Sequence, residues 1–411
     1  MQRKLTESIY KHLARKEYTI MAGARQTGKT TMLKQLHERL KEEKKISFYI
    51  SLEDHEILHS INESPENIFR FITKPSKKLS VTSAKRVYLF IDEVQYAKDP
   101  SNFLKYLFDT YGAALKIIAT GSSAFYIDKK FKDSLAGRKR LFELYTLDFE
   151  EFLDFKKQSV LKTELKKIKK EKNYRSLLRK EIEHLFDEYL IYGGYPAVVL
   201  ENDAEEKKIL LQELVNTYLK RDVQDAGVAD GLKFFQFVKI LAAQTGGLMN
   251  QNTIADTLRL SHGTVENYTY VLRKCFHLQL VPPLYGNIRK EISKMAKVYF
   301  NDMGFRNTLL NYFESPLHRI DKGELLENFV YIRLRQLYGN DSIRFWRTAD
   351  GNEVDFIVQE SAMKGMAMEV KFSESSFNKS KYNKFTELYK QYPLRCISYK
   401  AQKQEYSILL L

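Results

Sequence analysis

Hydrophobic and polar positions follow two different periods along this chain, and the change of period marks its predicted elements. In the first 150 residues, apolar strand-like runs alternate with helix-like runs, which is typical of parallel α/β units. The predicted strands are YTIMA, KISFYISL, RVYLFIDEVQ and LKIIATGSS, and a long helix follows the loop after YTIMA. This pattern predicts a parallel sheet covered by helices.

The rest of the chain follows other patterns. Residues 156–180 carry eleven Lys or Arg against two Glu, with apolar positions at helical spacing, which predicts a helical lid. Residues 232–285 predict three helices followed by a strand, the order of a winged helix. Near the C-terminus, residues 351–373 alternate as two short strands. We therefore predict an α/β multidomain chain with parts at residues 1–150, 151–225, 226–296 and 297–411.

Composition and charge narrow the class of protein. The chain has 411 residues, of which 44% are hydrophobic, enough for two or three cores. The net charge of +15 favours contact with a polyanion such as DNA. Cys275 and Cys396 form no motif, and no signal peptide or run of ~20 apolar residues is visible. We expect a cytoplasmic protein that does not contact a membrane.

The stretch GARQTGKT has the full pattern of a phosphate-binding loop between a strand and a helix. The glycines let backbone amides turn towards a phosphate, and the helix N-terminus adds positive potential. Lys29 is predicted to bridge the β- and γ-phosphates of ATP, and Thr30 to bind Mg²⁺. The predicted nucleotide-binding residues are Gly23, Ala24, Arg25, Gln26, Thr27, Gly28, Lys29, Thr30 and Thr31.

Two carboxylates end the strand in VYLFIDE. Asp92 is expected to reach the Mg²⁺ shell, and Glu93 to orient or deprotonate the attacking water. The next strand ends in ATGSS, where Thr120, Ser122 or Ser123 could place a hydroxyl near the γ-phosphate; Ser122 is the residue assigned.

These motifs resemble those of the AAA-type P-loop ATPases of the AAA_14-like family, which carry a C-terminal DUF4143-type domain. GARQTGKTT, FIDEVQ, IATGSSA, AGRKRLFELYTLDFEEF and YGGYPAVV occur in the order of that family. The resemblance implies an ATP-dependent switch with P-loop, winged-helix and nuclease-like parts. It also makes Arg138 a candidate phosphate sensor or arginine finger, although the same arginine would serve equally well on a basic surface loop.

The C-terminal hairpin has an unusual polar face. Folding residues 351–373 about Ala362 sets Asp355 opposite Glu369, and like charges in that position destabilise a strand pair. Two such carboxylates favour Mg²⁺ or Mn²⁺ between them, with Lys371 activating a water. The alternative is an ordinary polar face on which Glu353 and Lys371 form an exposed ion pair.

The C-terminal part, residues 297–411, resembles the PD-(D/E)XK nuclease superfamily, with a restriction-endonuclease-like α/β fold. The matching residues are Glu327, Asp355, Glu369 and Lys371, and the resemblance implies a second metal site formed by them. Folds are often retained after their chemistry is lost, so cleavage remains open.

Three functions follow from the sequence. The leading hypothesis is an ATP-hydrolysing switch that acts on DNA through the winged-helix and nuclease-like parts. The alternatives are an active Mg²⁺-dependent DNA nuclease coupled to the ATPase, and an ATP-gated scaffold for a protein partner with a silent nuclease fold. The third predicted helix offers Ser261, His262, Asn267, Tyr268, Arg273 and Lys274 to DNA. The sequence leaves a homo-oligomer open.

Overall fold

The computed structural model describes residues 3–76, 79–121, 137–171, 174–228, 230–287, 289, 291, 294–361 and 363–411. The chain forms two compact units. The first consists of Met1–Thr146 with Lys274–Phe276, and the second of Leu147–Arg273 with His277–Leu411.

The first unit is built on a parallel five-stranded sheet in the order β2-β3-β4-β1-β5. Its strands are β1 (Tyr18–Ala22), β2 (Ile46–Ser51), β3 (Val87–Asp92), β4 (Leu115–Gly121) and β5 (Lys139–Glu143). Its helices are α1 (Lys4–His12), α2 (Lys29–Glu42), α3 (His55–Glu63) and α4 (Pro100–Tyr111). Every residue of β1, β3 and β4 is buried, as expected for parallel strands covered on both faces. The predicted parallel α/β fold is confirmed.

A long helical region opens the second unit. It contains α5 (Phe149–Phe155), α6 (Ser159–Lys170), α7 (Arg179–Tyr192), α8 (Pro196–Leu200) and α9 (Ala204–Ala226). Many lysines of the predicted basic stretch are paired within it: Lys162 contacts Asp154, and Lys169 contacts Glu150. Leu165 faces the core. Part of the positive charge of this stretch is therefore neutralised by neighbouring carboxylates.

Three helices and a two-stranded antiparallel sheet follow. The helices are α10 (Gly231–Ala243), α11 (Gln251–Leu258) and α12 (His262–Lys274), and the strands are β6 (Leu278–Val281) and β7 (Lys297–Phe300). Asn250 caps α11 by accepting from the backbone amides of Asn252 and Thr253. This is the element order predicted for a winged helix. However, β7 pairs with β6. The sequence pattern instead places residues 297–300 in the C-terminal part, 297–411.

Tyr268, one of the residues predicted to face DNA, is instead a core residue. Its side chain is buried, and its ring makes edge contacts with Phe234 and Phe237. The prediction of a DNA contact at this position is therefore wrong.

The C-terminal part contains a mixed four-stranded sheet in the order β11-β10-β9-β8. Its elements are α13 (Met303–Leu310), α14 (Lys322–Tyr338), β8 (Ile343–Arg347), β9 (Glu353–Ser361), β10 (Lys364–Ser373), α15 (Asn383–Leu388) and β11 (Leu394–Lys400). Strands β9 and β10 pair antiparallel, whereas β10 and β11 are parallel. The predicted α/β character of this region is confirmed.

Alternation along the hairpin divides this sheet into two faces. Phe356 and Val370 belong to the cluster that contains Phe329 of α14. Ile357 and Ala367 belong to a second cluster. Both faces are thus covered, and a charged residue at the centre of the sheet must find its partners within the protein. Among the described helices, none is long and apolar enough to cross a membrane.

Candidate nucleotide site and carboxylate cluster

The phosphate-binding loop joins β1 to α2, and its two glycines are required by geometry. Gly28 has a φ of 94°, in the left-handed region where a side chain is strained. At Gly23, an added Cβ would lie 2.1 Å from the backbone oxygen of Leu144. The loop therefore lies directly against the residue that follows β5.

Arg3 links the same loop to the chain that leaves the sheet. Its guanidinium is buried and donates to the backbone oxygen of Thr27 at 2.8 Å and to that of Tyr145 at 2.8 Å. A further bond, at 3.4 Å, reaches the backbone oxygen of Thr146. One side chain thus holds the loop and residues 145–146 together.

Lys29 is the first residue of α2, and its ammonium is turned into the loop. Nζ donates to the backbone oxygens of Gly23 at 2.9 Å and Ala24 at 2.7 Å. Burial lowers the pKa of Lys29 to about 8, and the charge of Glu93 opposes this shift. Among the described residues, its hydrogen bonds go only to backbone carbonyls, so no carboxylate neutralises it by direct contact. The site is therefore suited to an anion.

Asp92 lies at the carboxyl end of β3, with both of its carboxylate oxygens engaged. Thr120 donates its hydroxyl to Oδ1, and Tyr49 donates to Oδ2 at 2.9 Å. Burial and the charge of Asp92 raise the pKa of Tyr49. Sequence reasoning missed Tyr49, because β2 is brought next to Asp92 only by strand pairing.

Glu93 follows in a strained conformation with a φ of 55°. Its backbone amide donates to the Thr120 hydroxyl at 3.0 Å, and Gln95 donates to its carboxylate. The hydroxyl of Thr120 therefore holds Asp92 and Glu93 in a fixed relation. Since parallel strands end at the same edge of a sheet, these carboxylates and the loop lie at one edge, where an α/β sheet binds ligands.

Other predicted nucleotide-site residues are placed less favourably. Thr30 is half-buried, Thr31 is exposed, and Ser122 lies outside the described residues. Arg138 lies at the opposite end of β1, where its backbone oxygen accepts from the amide of Tyr18 at 2.8 Å. Its guanidinium pairs with Asp109 at 2.8 Å. This placement corrects the prediction of Arg138 as a phosphate sensor within the same chain.

A second group of charged residues surrounds the start of β9. Lys297, the first residue of β7, is 2% exposed. Its Nζ lies 2.5 Å from Oε1 of Glu353, 3.6 Å from Oε2 of Glu327 and 3.8 Å from Oδ1 of Asp355. Tyr299, two residues along the same strand, donates to Oε2 of Glu327 at 3.2 Å. Sequence reasoning missed Lys297, which is brought to the carboxylates only by the tertiary fold.

The remaining predicted residues of this site lie on β10. Its register with β9 sets Met368 opposite Phe356. The recorded pairing ends there, and beyond it Asp355 accepts a 2.8 Å hydrogen bond from the Val370 amide through Oδ2. The side chain of Lys371 contacts Glu369, not Glu353, which corrects the alternative ion pair expected from the sequence.

Burial and neighbouring charges shift the pKa values of this cluster. Burial and the charge of Asp355 raise the pKa of Glu327 to about 8. Burial and the same charge raise the pKa of Glu369 to about 7. Burial would lower the pKa of Lys297, but the charges of the nearby carboxylates raise it well above its ordinary value. The ammonium form of Lys297 is therefore favoured by its position among the carboxylates.

A divalent metal does not fit this arrangement. The described residues contain no group of three or more His, Cys, Asp or Glu arranged to hold a metal ion. Glu369 retains one buried oxygen, Oε2, with no hydrogen-bond partner. However, the position between Glu327, Glu353 and Asp355 is taken by an ammonium. Of the predicted metal ligands, Glu327 and Asp355 thus face Lys297. Glu369 instead contacts Lys371.

Three family models match successive parts of the chain. Residues 15–153 match the model described as an AAA domain (AAA_14). Residues 183–315 and 322–408 match two domains of unknown function, DUF8612 and DUF4143.

Relatives occur in archaea and bacteria. The chain is 27% identical over 393 residues to uncharacterized protein MJ1637 of Methanocaldococcus jannaschii, covering 90% of this chain and 79% of the relative. An uncharacterized protein of Haemophilus influenzae is 26% identical, with 83% and 79% covered. AMPPCP-bound DnaA from Aquifex aeolicus superposes with a TM-score of 0.30 and 17% identity, covering 66% of this chain and 86% of that one. The family models therefore relate residues 15–153 of this chain to the AAA domain family AAA_14 and residues 322–408 to the DUF4143 family.

Proposed function

We propose that the AAA domain binds and hydrolyses ATP and that the protein works as a nucleotide-dependent switch. The observation that carries this proposal is the buried ammonium of Lys29, which faces backbone carbonyls in a loop at the carboxyl edge of a parallel sheet. A triphosphate replaces those carbonyls as the partner of the ammonium and gains charge-assisted hydrogen bonds. The N-terminus of α2 adds favourable potential for the phosphates.

The side chains around Asp92 have distinct proposed roles. Thr30 and Asp92 would hold Mg²⁺, which would supply neutralisation of the phosphate charge. Glu93 orients the attacking water and accepts its proton. Thr120 is a positioning residue, because its hydroxyl contacts both Asp92 and the Glu93 amide.

Two substitutions separate binding from hydrolysis. Lys29→Ala should abolish ATP binding, measured with a fluorescent ATP analogue, and turnover, measured as phosphate release. Glu93→Gln should retain binding and lower the turnover rate by about 10²–10⁴-fold. Lys41→Ala, at an exposed lysine near the end of the same helix, is the matched control and should behave as wild type. Unchanged turnover in Lys29→Ala would rule out the assigned site.

We also propose that the switch contacts DNA. Support comes from the net charge of +15 and from a helix, α12, that leaves His262 and Asn267 exposed in the order of a winged helix. Phosphate contacts make such binding weaken steeply with salt. Arg273→Glu should reduce DNA affinity and lower the salt slope, whereas Lys220→Glu, on the exposed face of α9, should not. DNA binding that is unaffected by Arg273→Glu would place the contact elsewhere.

A further inference from the structure

The carboxylate cluster of the DUF4143 region already contains a cation, and that cation is supplied by the protein. Three carboxylates face Lys297, at 2.5 Å for Glu353, 3.6 Å for Glu327 and 3.8 Å for Asp355. The lysine side chain is 2% exposed, so water does not screen these contacts. An ammonium with three donors suits an acidic cluster as a substitute for a metal ion.

The lysine comes from a different part of the chain than its partners. Lys297 opens β7, which pairs with β6 in the two-stranded sheet and not with β8–β11. Glu327 comes from α14, and Glu353 and Asp355 come from β9. The cation in the cluster therefore depends on the position of the strand that carries it.

The remaining buried carboxylate of this region also has a lysine partner. Glu369 is 3% exposed, and its carboxylate pairs with Lys371. A buried carboxylate is costly unless it is paired with a cation or holds a proton. Lysines of the chain thus contact the carboxylates on both β9 and β10.

We propose that Lys297 is the resident cation of the DUF4143 carboxylate cluster, that it excludes divalent metal ions, and that its removal converts the cluster into a metal site. A dication cannot share the space, because it would lie within a few ångströms of the ammonium in a medium that screens charge weakly. With β7 in place, the cluster stabilises the fold and does not perform metal chemistry. Lys297 thus forms an autoinhibitory contact with the carboxylates inside the second unit.

The test measures Mn²⁺ binding to the full chain by electron paramagnetic resonance, without nucleotide. Lys297→Met removes the charge and retains most of the side-chain volume. In that variant we expect Mn²⁺ to bind at least about a hundredfold more tightly than in wild type. The added site should disappear in Lys297→Met combined with Asp355→Asn. Lys364→Met, at an exposed lysine of β10 that pairs with Glu360, is the control and should match wild type.

Two results would overturn the proposal. If wild type binds Mn²⁺ in a manner that Asp355→Asn abolishes, the lysine does not exclude the metal. If folded Lys297→Met binds no more Mn²⁺ than wild type, the lysine is not what closes the site. Should Lys297→Met fail to fold, wild type and Asp355→Asn still decide the first point: Asp355-dependent binding overturns the proposal, and its absence supports it.

Discussion

ATP binding should draw a proton from solution at mildly alkaline pH, because Lys29 is buried before the nucleotide arrives. Burial lowers the pKa of this ammonium to about 8 in the free protein. Phosphates next to Nζ favour the charged form and return its pKa to a value well above the assay range. The free protein at pH 8 has about half of its Lys29 deprotonated, so binding takes up about half a proton. The expected uptake is about a tenth of a proton at pH 7 and about nine tenths at pH 9.

Isothermal titration calorimetry measures this uptake directly. The observed enthalpy of ATP binding is plotted against the ionisation enthalpy of several buffers, and the slope gives the number of protons. The apparent affinity should also fall by about fiftyfold between pH 8 and pH 10, approaching a tenfold loss for each further pH unit. Lys29→Arg, whose guanidinium stays charged, is the matched control and should show no uptake. A slope near zero for wild type at pH 8 to 9 would contradict the geometry assigned to Lys29.

Three further predictions test the packing around these sites by measuring unfolding free energies. Gly23→Ala should lower stability by about 1–3 kcal/mol in urea unfolding, because its Cβ would meet the Leu144 oxygen, whereas Gly263→Ala, where the space is open, should not destabilise. Asn328→Ala should lower the unfolding free energy by about 2–5 kcal/mol in thermal unfolding. The substitution leaves the buried N–H and C=O of Phe300 without the hydrogen bonds that the Asn328 amide makes to them. An unchanged midpoint would contradict this. Burial lowers the pKa of Lys116 to about 7, so wild type should gain up to about 5 kcal/mol over Lys116→Met from pH 7 to pH 10.5; a constant difference across this range would refute it.

The nucleotide site was predictable because its residues are close together in the chain. A strand, a glycine loop and a helix are contiguous from Tyr18 to Glu42, and strand ends mark Asp92 and Thr120. The loop pattern itself specifies the backbone geometry that Gly28 adopts. Local sequence was therefore enough to predict most residues of this candidate site. Tyr49 could not be predicted in this way.

The errors at Arg138, Tyr268 and Lys297 have one physical cause. The sequence pattern does not determine which way a side chain faces or which residues it contacts in the folded protein. The family motif around Arg138 could not tell which end of the sheet the residue occupies. Helical spacing in α12 left open which face packs on α10, and Tyr268 proved to be buried. Lys297 begins an apolar strand, where a lysine reads as exposed, and its three partners are 30 to 58 residues further along the chain.

The contact between Gly23 and Leu144 has a consequence for how nucleotide state is transmitted. A Cβ added at Gly23 would lie 2.1 Å from the backbone oxygen of Leu144. The loop is therefore closely packed against the residue that follows β5. Arg3 fastens the same two segments through Thr27 and Tyr145. Residues 144–146 are the last of the uninterrupted chain in the first unit. If the proposed ATP site changes the conformation of the loop, these residues are the first outside it that must adjust.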